Sequence, residues 1–108
     1  VVARRAEAAA KDFSPQGLSN VAWALATLRA ESPELVEVLL AEVAERAEEL
    51  SAQGLSNVAW AFAALGADGP AAFSAIAQES CSRLQEFEPQ ELSSLAWAFA
   101  SLALHEPE

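Results

Sequence analysis

Ser14–Leu28 reads SPQGLSNVAWALATL, and it returns as SAQGLSNVAWAFAAL at Ser51–Leu65 and as EPQELSSLAWAFASL at Glu88–Leu102. The three copies align without gaps. Trp23, Trp60 and Trp97 fall at steps of 37, as do Gln16, Gln53 and Gln90, and Leu18, Leu55 and Leu92. The first two copies agree at 12 of 15 positions, which identifies internal duplication rather than chance. Self-similarity at a period of this length is the mark of a repeat architecture, in which each unit buries its face only against its neighbours.

Each copy predicts a helix with a marked beginning. Ser14 and Ser51 suit the N-cap, where a side-chain oxygen accepts a backbone N–H the helix leaves unpaired. Pro15 and Pro89 occupy the first helical position, where the missing N–H costs nothing. Phe13, Leu50 and Phe87 precede the caps, and Leu18, Leu55 and Leu92 follow five residues later, the spacing of a hydrophobic staple. Glu88 is a poorer cap than serine, so the third helix is expected to begin less firmly.

A second type of helix lies between the copies. From Pro33 to Leu50 the residues Val36, Leu39, Leu40, Val43, Ala47 and Leu50 follow a helical stripe, with an acidic series lying mostly off it. Pro70 to Phe87 repeats this through Phe73, Ile76, Ala77 and Leu84. Val1 to Asp12 reads as the remainder of an equivalent first helix. Ser32-Pro33 and Gly66-Ala67-Asp68-Gly69-Pro70 supply the breaks. We designate the acidic type A and the Trp-bearing type B. The order is then A1-B1-A2-B2-A3-B3: an all-α, right-handed α-α superhelix, or solenoid, of three antiparallel helix pairs and six helices. It forms a single domain over 1–108, with repeats near 1–30, 31–67 and 68–104. The B helices are apolar over most of their circumference and must be covered on several sides.

The motif PQGLSNVAWALATL resembles the octotricopeptide repeat family, whose repeats are helix pairs close to this length with a second helix of the form PQxLxNxxWALAxL. The resemblance covers essentially the whole chain, with Gln, Leu, Ser or Asn, Ala-Trp-Ala and Leu in register three times. Ala52 in place of proline, Ser94 in place of asparagine and the period of 37 depart from the family pattern. The resemblance implies an organellar setting, in chloroplast or mitochondrion. It also implies a role in transcript maturation, stability or translation through RNA, or a structural place in an organellar assembly.

Charge opposes the RNA role. The chain carries 16 acidic and 6 basic residues, a net charge of -10. A nucleic-acid binder needs basic groups to neutralise phosphates. Here they are scattered, apart from the Arg4-Arg5 pair. No apolar run is long enough to span a bilayer, no secretory or transit peptide is visible, and the chain opens on Val1, as a processed protein or part of a longer one would. Cys81 is the one cysteine, so no internal disulfide forms.

Several repeated positions invite a functional reading. Gln16, Gln53 and Gln90 suit capping or loop-bracing amides. Trp23, Trp60 and Trp97, with Leu18, Leu55 and Leu92, read as the inter-repeat core. Asn20, Asn57 and Ser94 would then satisfy nearby loop carbonyls. The competing reading makes the Gln and Asn positions ligand-facing, with an Asn–Trp row gripping an extended peptide. Thr27, Ala64 and Ser101, like Arg29, Gly66 and Ala103, vary at aligned positions, as drift or as a base-per-repeat code. Glu34, Glu37, Glu45 and Glu48, with Glu42 and Glu49, form either a solvated outer face or a dock for a basic partner. His105 and Cys81 lack metal-ligand spacing, and no catalytic motif is present, so neither an enzyme nor a cofactor is expected. The last helix ends on Trp97, Phe99, Leu102 and Leu104 with nothing after it to cover it. These uncapped ends point to other protein subunits as partners.

Overall fold

A computed structural model describes residues 11–28 and 32–105. They are all-helical: α1 (Pro15–Leu28), α2 (Pro33–Arg46), α3 (Ala52–Leu65), α4 (Pro70–Ser82) and α5 (Pro89–His105), with short 3-10 turns at Ala47–Glu49 and Leu84–Glu86. This is five helices where six were expected. The expected A1 helix, residues 1–12, lies outside the described residues except for Lys11 and Asp12, which are helical. The B helices are α1, α3 and α5; the A helices are α2 and α4.

The helices form two layers. In the B layer α3 packs against both α1 and α5, and in the A layer α2 packs against α4. The N-terminal halves of α1 and α3 line one groove and their C-terminal halves another, so they run in the same direction. The core between the layers holds Leu18, Leu39, Val43, Leu50, Leu55, Val58, Phe62 and Ile76, all buried. Three phenylalanines join its second half. Phe73 of α4 meets Phe62 of α3 and Phe99 of α5 edge-on, at centroid distances of 6.3 and 5.8 Å, the arrangement that ring quadrupoles favour.

The helix starts follow the cap chemistry in the sequence. The N–H of Gly17 donates to Ser14 Oγ, and that of Gly54 to Ser51 Oγ, each at 3.0 Å. The third copy solves the same problem from the other side. Glu91 replaces the glycine, and its carboxylate accepts the backbone N–H of Glu88 at 2.8 Å. That is half of a capping box, so α5 is braced despite its weaker cap residue. At the other end of α3, Gly66 takes a left-handed φ of 68°. The N–H of Ala67 reaches back to the Phe62 carbonyl at 2.9 Å, the closure of a Schellman motif.

Two further features bind repeat to repeat. The Ser56 hydroxyl points to the Ala52 carbonyl of its own helix at 2.9 Å and the Glu91 carbonyl of α5 at 3.2 Å. Arg46 closes the turn after α2. It pairs with Glu42 at 3.4 Å and Glu49 at 3.2 Å, and its Nη2 donates to the Phe13 carbonyl of the preceding repeat at 2.9 Å. Arg83, 37 residues on, holds Glu79 and Glu86 in the same pattern. Hydrogen bonding to Glu86, then to Glu79, keeps the Arg83 guanidinium charged above its ordinary range against the opposing effect of burial. Glu42, expected with the outer acidic series, is instead buried beneath Arg46.

Register decides burial. Leu18, Ala22 and Ala26 of α1 and Leu55 and Ala59 of α3 are buried, because the next B helix lies over them. Their equivalents Leu92, Ala96 and Ala100 on α5 are exposed. Leu92, expected in the core, is 40% exposed for this reason. In chemical denaturation Leu55→Ala should cost about 2–5 kcal/mol, and Leu92→Ala roughly 0.5 kcal/mol or less. Equal losses would refute this stacking register.

Ser80 on α4 has a buried hydroxyl without a hydrogen-bond partner among the described residues. The matching position in the preceding repeat is Val43, fully buried. An unsatisfied buried hydroxyl carries a desolvation cost of about 1–3 kcal/mol. Ser80→Val should therefore raise the denaturation midpoint, and a lowered midpoint would show that the hydroxyl is satisfied in solution.

Candidate functional site

The surface of the B layer follows from how α3 is enclosed. Its neighbours in both layers bury Ala52, Gly54, Leu55, Ser56, Val58, Ala59, Ala61 and Phe62. Of the residues left less than buried, Gln53, Asn57, Trp60 and Ala64 form one strip, with Ala63 and Leu65 also partly covered at the C-terminal end. The spacing i, i+4, i+7, i+11 keeps these four on one helical face. The same face on α1 carries Gln16, Asn20, Trp23 and Thr27, and on α5 Gln90, Ser94, Trp97 and Ser101. Because the helices pack side by side in register, the strips form rows across the layer: one of glutamines, one of Asn, Asn and Ser, one of tryptophans, and one of small residues.

This corrects the assignment of Trp23 and Trp97 to the inter-repeat core, while Trp60 packs partly against it. Trp23 is 49% exposed and Trp97 47%. Trp60, flanked on both sides, is half-buried and stands with its ring centroid 6.3 Å from that of Trp97, the planes tilted by 35°. The core assignment does hold for Leu18 and Leu55. The capping role expected of the glutamines is also absent. Ser14 and Ser51 carry the caps. The side-chain amides of Gln16, Gln53, Gln90, Asn20 and Asn57 have no hydrogen-bond partner among the described residues.

Two depressions lie along these rows. The smaller, about 320 Å³, runs between the N-terminal halves of α1 and α3 and is lined by Gln16, Asn20, Gln53 and Asn57, with Glu49 at its edge. The larger is an open groove of about 1100 Å³ whose lining includes Ala26, Val36, Leu40, Leu65 and Trp60, together with Glu37 and Asp68. Gly69 lets the loop after α3 approach this closely. A Cβ there would lie 2.5 Å from Leu40 Cδ2. The loop's contact with α2 brings Asp68 to the same groove as Glu37.

The acidic residues lining the two depressions are Glu37, Asp68 and Glu49. Glu34, Glu37, Glu45 and Glu48 are all exposed. Glu37, exposed as expected, also lines the Trp60 groove. Neither Glu37 nor Asp68 has a cationic partner among the described residues. The described cations are Lys11, Arg46 and Arg83, and each is already paired with carboxylate. Arg29 lies outside the described residues.

Sequence reading passed over one repeated feature, the Glu-x3-Arg-x2-Glu clamp of Glu42-Arg46-Glu49 and Glu79-Arg83-Glu86. Its signal was available as a second motif at the same step of 37. Among the described residues no group of three or more His, Cys, Asp or Glu side chains is placed to hold a metal ion, and no helix is long and apolar enough to cross a membrane. No protein-family model, curated protein or solved structure matches the chain.

With half of its surface covered, Trp23→Ala should cost roughly 1–2 kcal/mol, below the roughly 3–5 kcal/mol of a fully buried tryptophan. A double-mutant cycle on Trp60 and Trp97 should give a coupling of about 0.5–1.5 kcal/mol. A loss of several kcal/mol at Trp23 would return that ring to the core.

Proposed function

We propose that this chain is a non-catalytic helical-repeat interaction module, three repeats of a right-handed α-α superhelix of octotricopeptide type, serving as an accessory subunit within a larger organellar assembly. The observation that carries the binding role is the B-layer surface, where amides without a partner among the described residues recur in register with two exposed indoles and a half-buried one between them. Exposed aromatic rings and amides without a partner inside the fold are typical of surfaces that contact a ligand. The bare Leu92-Ala96-Ala100 face of α5 supports a second protein contact, since its equivalents on α1 and α3 are covered by a neighbouring helix. The organellar setting rests on the repeated motif.

An RNA-binding factor for organellar transcripts is the second reading, and the exposed tryptophans favour it. Bases stack on such rings, and amides hydrogen-bond base edges. The pairing of Lys11, Arg46 and Arg83 with carboxylates opposes it, because phosphate neutralisation supplies most of the affinity for RNA. Fluorescence anisotropy with a mixed-sequence single-stranded RNA at moderate salt separates the two. We expect no saturable binding at micromolar protein. Submicromolar, salt-sensitive binding would overturn the protein-interaction reading.

A further inference from the structure

We infer that the B-layer face binds an extended peptide segment carrying a lysine or arginine, its backbone on the Gln/Asn row and its cationic side chain in the Trp60 groove. This rests on the interaction-module reading and names the chemistry of the partner.

The groove is suited to a side chain with an apolar stem and a positive head. Ala26, Val36 and Leu40 in its lining accept methylenes. Trp60 is part of the same lining, and indole rings hold ammonium and guanidinium groups. Glu37 and Asp68 bring two carboxylates with no cation of their own to neutralise them among the described residues. An acidic or purely apolar side chain would leave those charges facing a repulsive or desolvating neighbour. The chain's net charge of -10 draws the same class of partner from a distance.

The smaller depression supplies the other half of the recognition. Gln16, Asn20, Gln53 and Asn57 line it with four amide groups, each able to donate and accept. Free amides of this kind match the alternating N–H and C=O of a peptide main chain. The geometry fits as well. Packed helices stand about 8–10 Å apart, and an extended or polyproline chain rises about 3.1 Å per residue. Three peptide residues then span one repeat, so every third side chain meets an equivalent position on the next helix.

The face reports its own occupancy. The chain has three tryptophans and no tyrosine, and all three indoles lie in this row. The test titrates the protein with an unstructured twelve-residue peptide bearing lysine at every third position among alanine, serine and glycine, and follows tryptophan emission. The same titration uses a peptide with glutamate at those positions, spermine, and single-stranded RNA. Expected is a saturable, salt-weakened change with the lysine peptide alone. Glu37→Gln combined with Asp68→Asn, both exposed positions, should weaken it by about tenfold or more, with an unchanged circular dichroism spectrum. Gln53→Ala with Asn57→Ala should weaken binding without altering its salt dependence. Equal response to the glutamate peptide, or unchanged affinity in the carboxylate variant, overturns the cationic-groove assignment. Equal affinity for spermine overturns the peptide assignment, since charge alone would then suffice. No response to any peptide together with no RNA binding overturns this inference and leaves the interaction module standing, whereas tight RNA binding overturns both.

Discussion

The burial of α3 is the constraint on which the rest of the structure depends. Its sequence, AQGLSNVAWAFAAL, is apolar around most of the helix. Such a helix is stable in water only when neighbours take up nearly every face. Here α1 and α5 flank it, and the core shared with the A layer lies beneath. Alanine and glycine along its sides permit close approach, and Ser56 fastens the contact to α5 through the Glu91 carbonyl. Once three sides are closed, the fourth is defined by subtraction. That remaining strip carries Gln53, Asn57, Trp60 and Ala64.

Repetition turns a strip into a surface. A single helix with one Asn and one Trp exposed would be unexceptional. Three such helices in parallel register place like beside like, so a feature of one residue per repeat becomes a row. The repeats are not equivalent in energy, however. Trp60 has a neighbouring B helix on each side and is half-buried, while Trp23 and Trp97 stand more open. The turn clamps show the same asymmetry. Arg46 reaches the Phe13 carbonyl of the preceding repeat and covers a buried Glu42, whereas Arg83 holds carboxylates that are more exposed. Identical motifs contribute unequally because desolvation, rather than the pairing itself, sets the strength of a hydrogen-bonded charge.

The acidic character of the chain is divided between structure and surface. Glu42 and Glu91 have defined structural work, the first under Arg46 and the second at the start of α5. Glu37 and Asp68 have no cationic partner among the described residues, and both line the groove beside Trp60. Carboxylates without cations repel one another and oppose compaction. Their place in the lining of the same groove as Trp60 is the ground on which a positive partner is proposed.

Much of the fold was legible in the sequence, because its determinants are local. Serine caps, prolines at the first helical turn, staples and an apolar stripe act within a few residues, and each of Ser14, Ser51 and Gly66 takes the role its chemistry suggests. The repeat also announced itself, since duplication is visible without coordinates. What the sequence could not decide was which face of each B helix would stay open. Tryptophan beside leucine and alanine reads as core on hydropathy alone, and glutamine near a helix start reads as a cap. The first fails for Trp23 and Trp97 and holds in part for Trp60, the second fails for the glutamines, and the reason is the same. Exposure depends on where the neighbouring helices stand, and helices 37 residues apart in the chain decide it together. The sequence by itself determined the helices and their repetition; only the tertiary packing turned Gln, Asn and Trp outward in rows, because it used up every other side of the helix first.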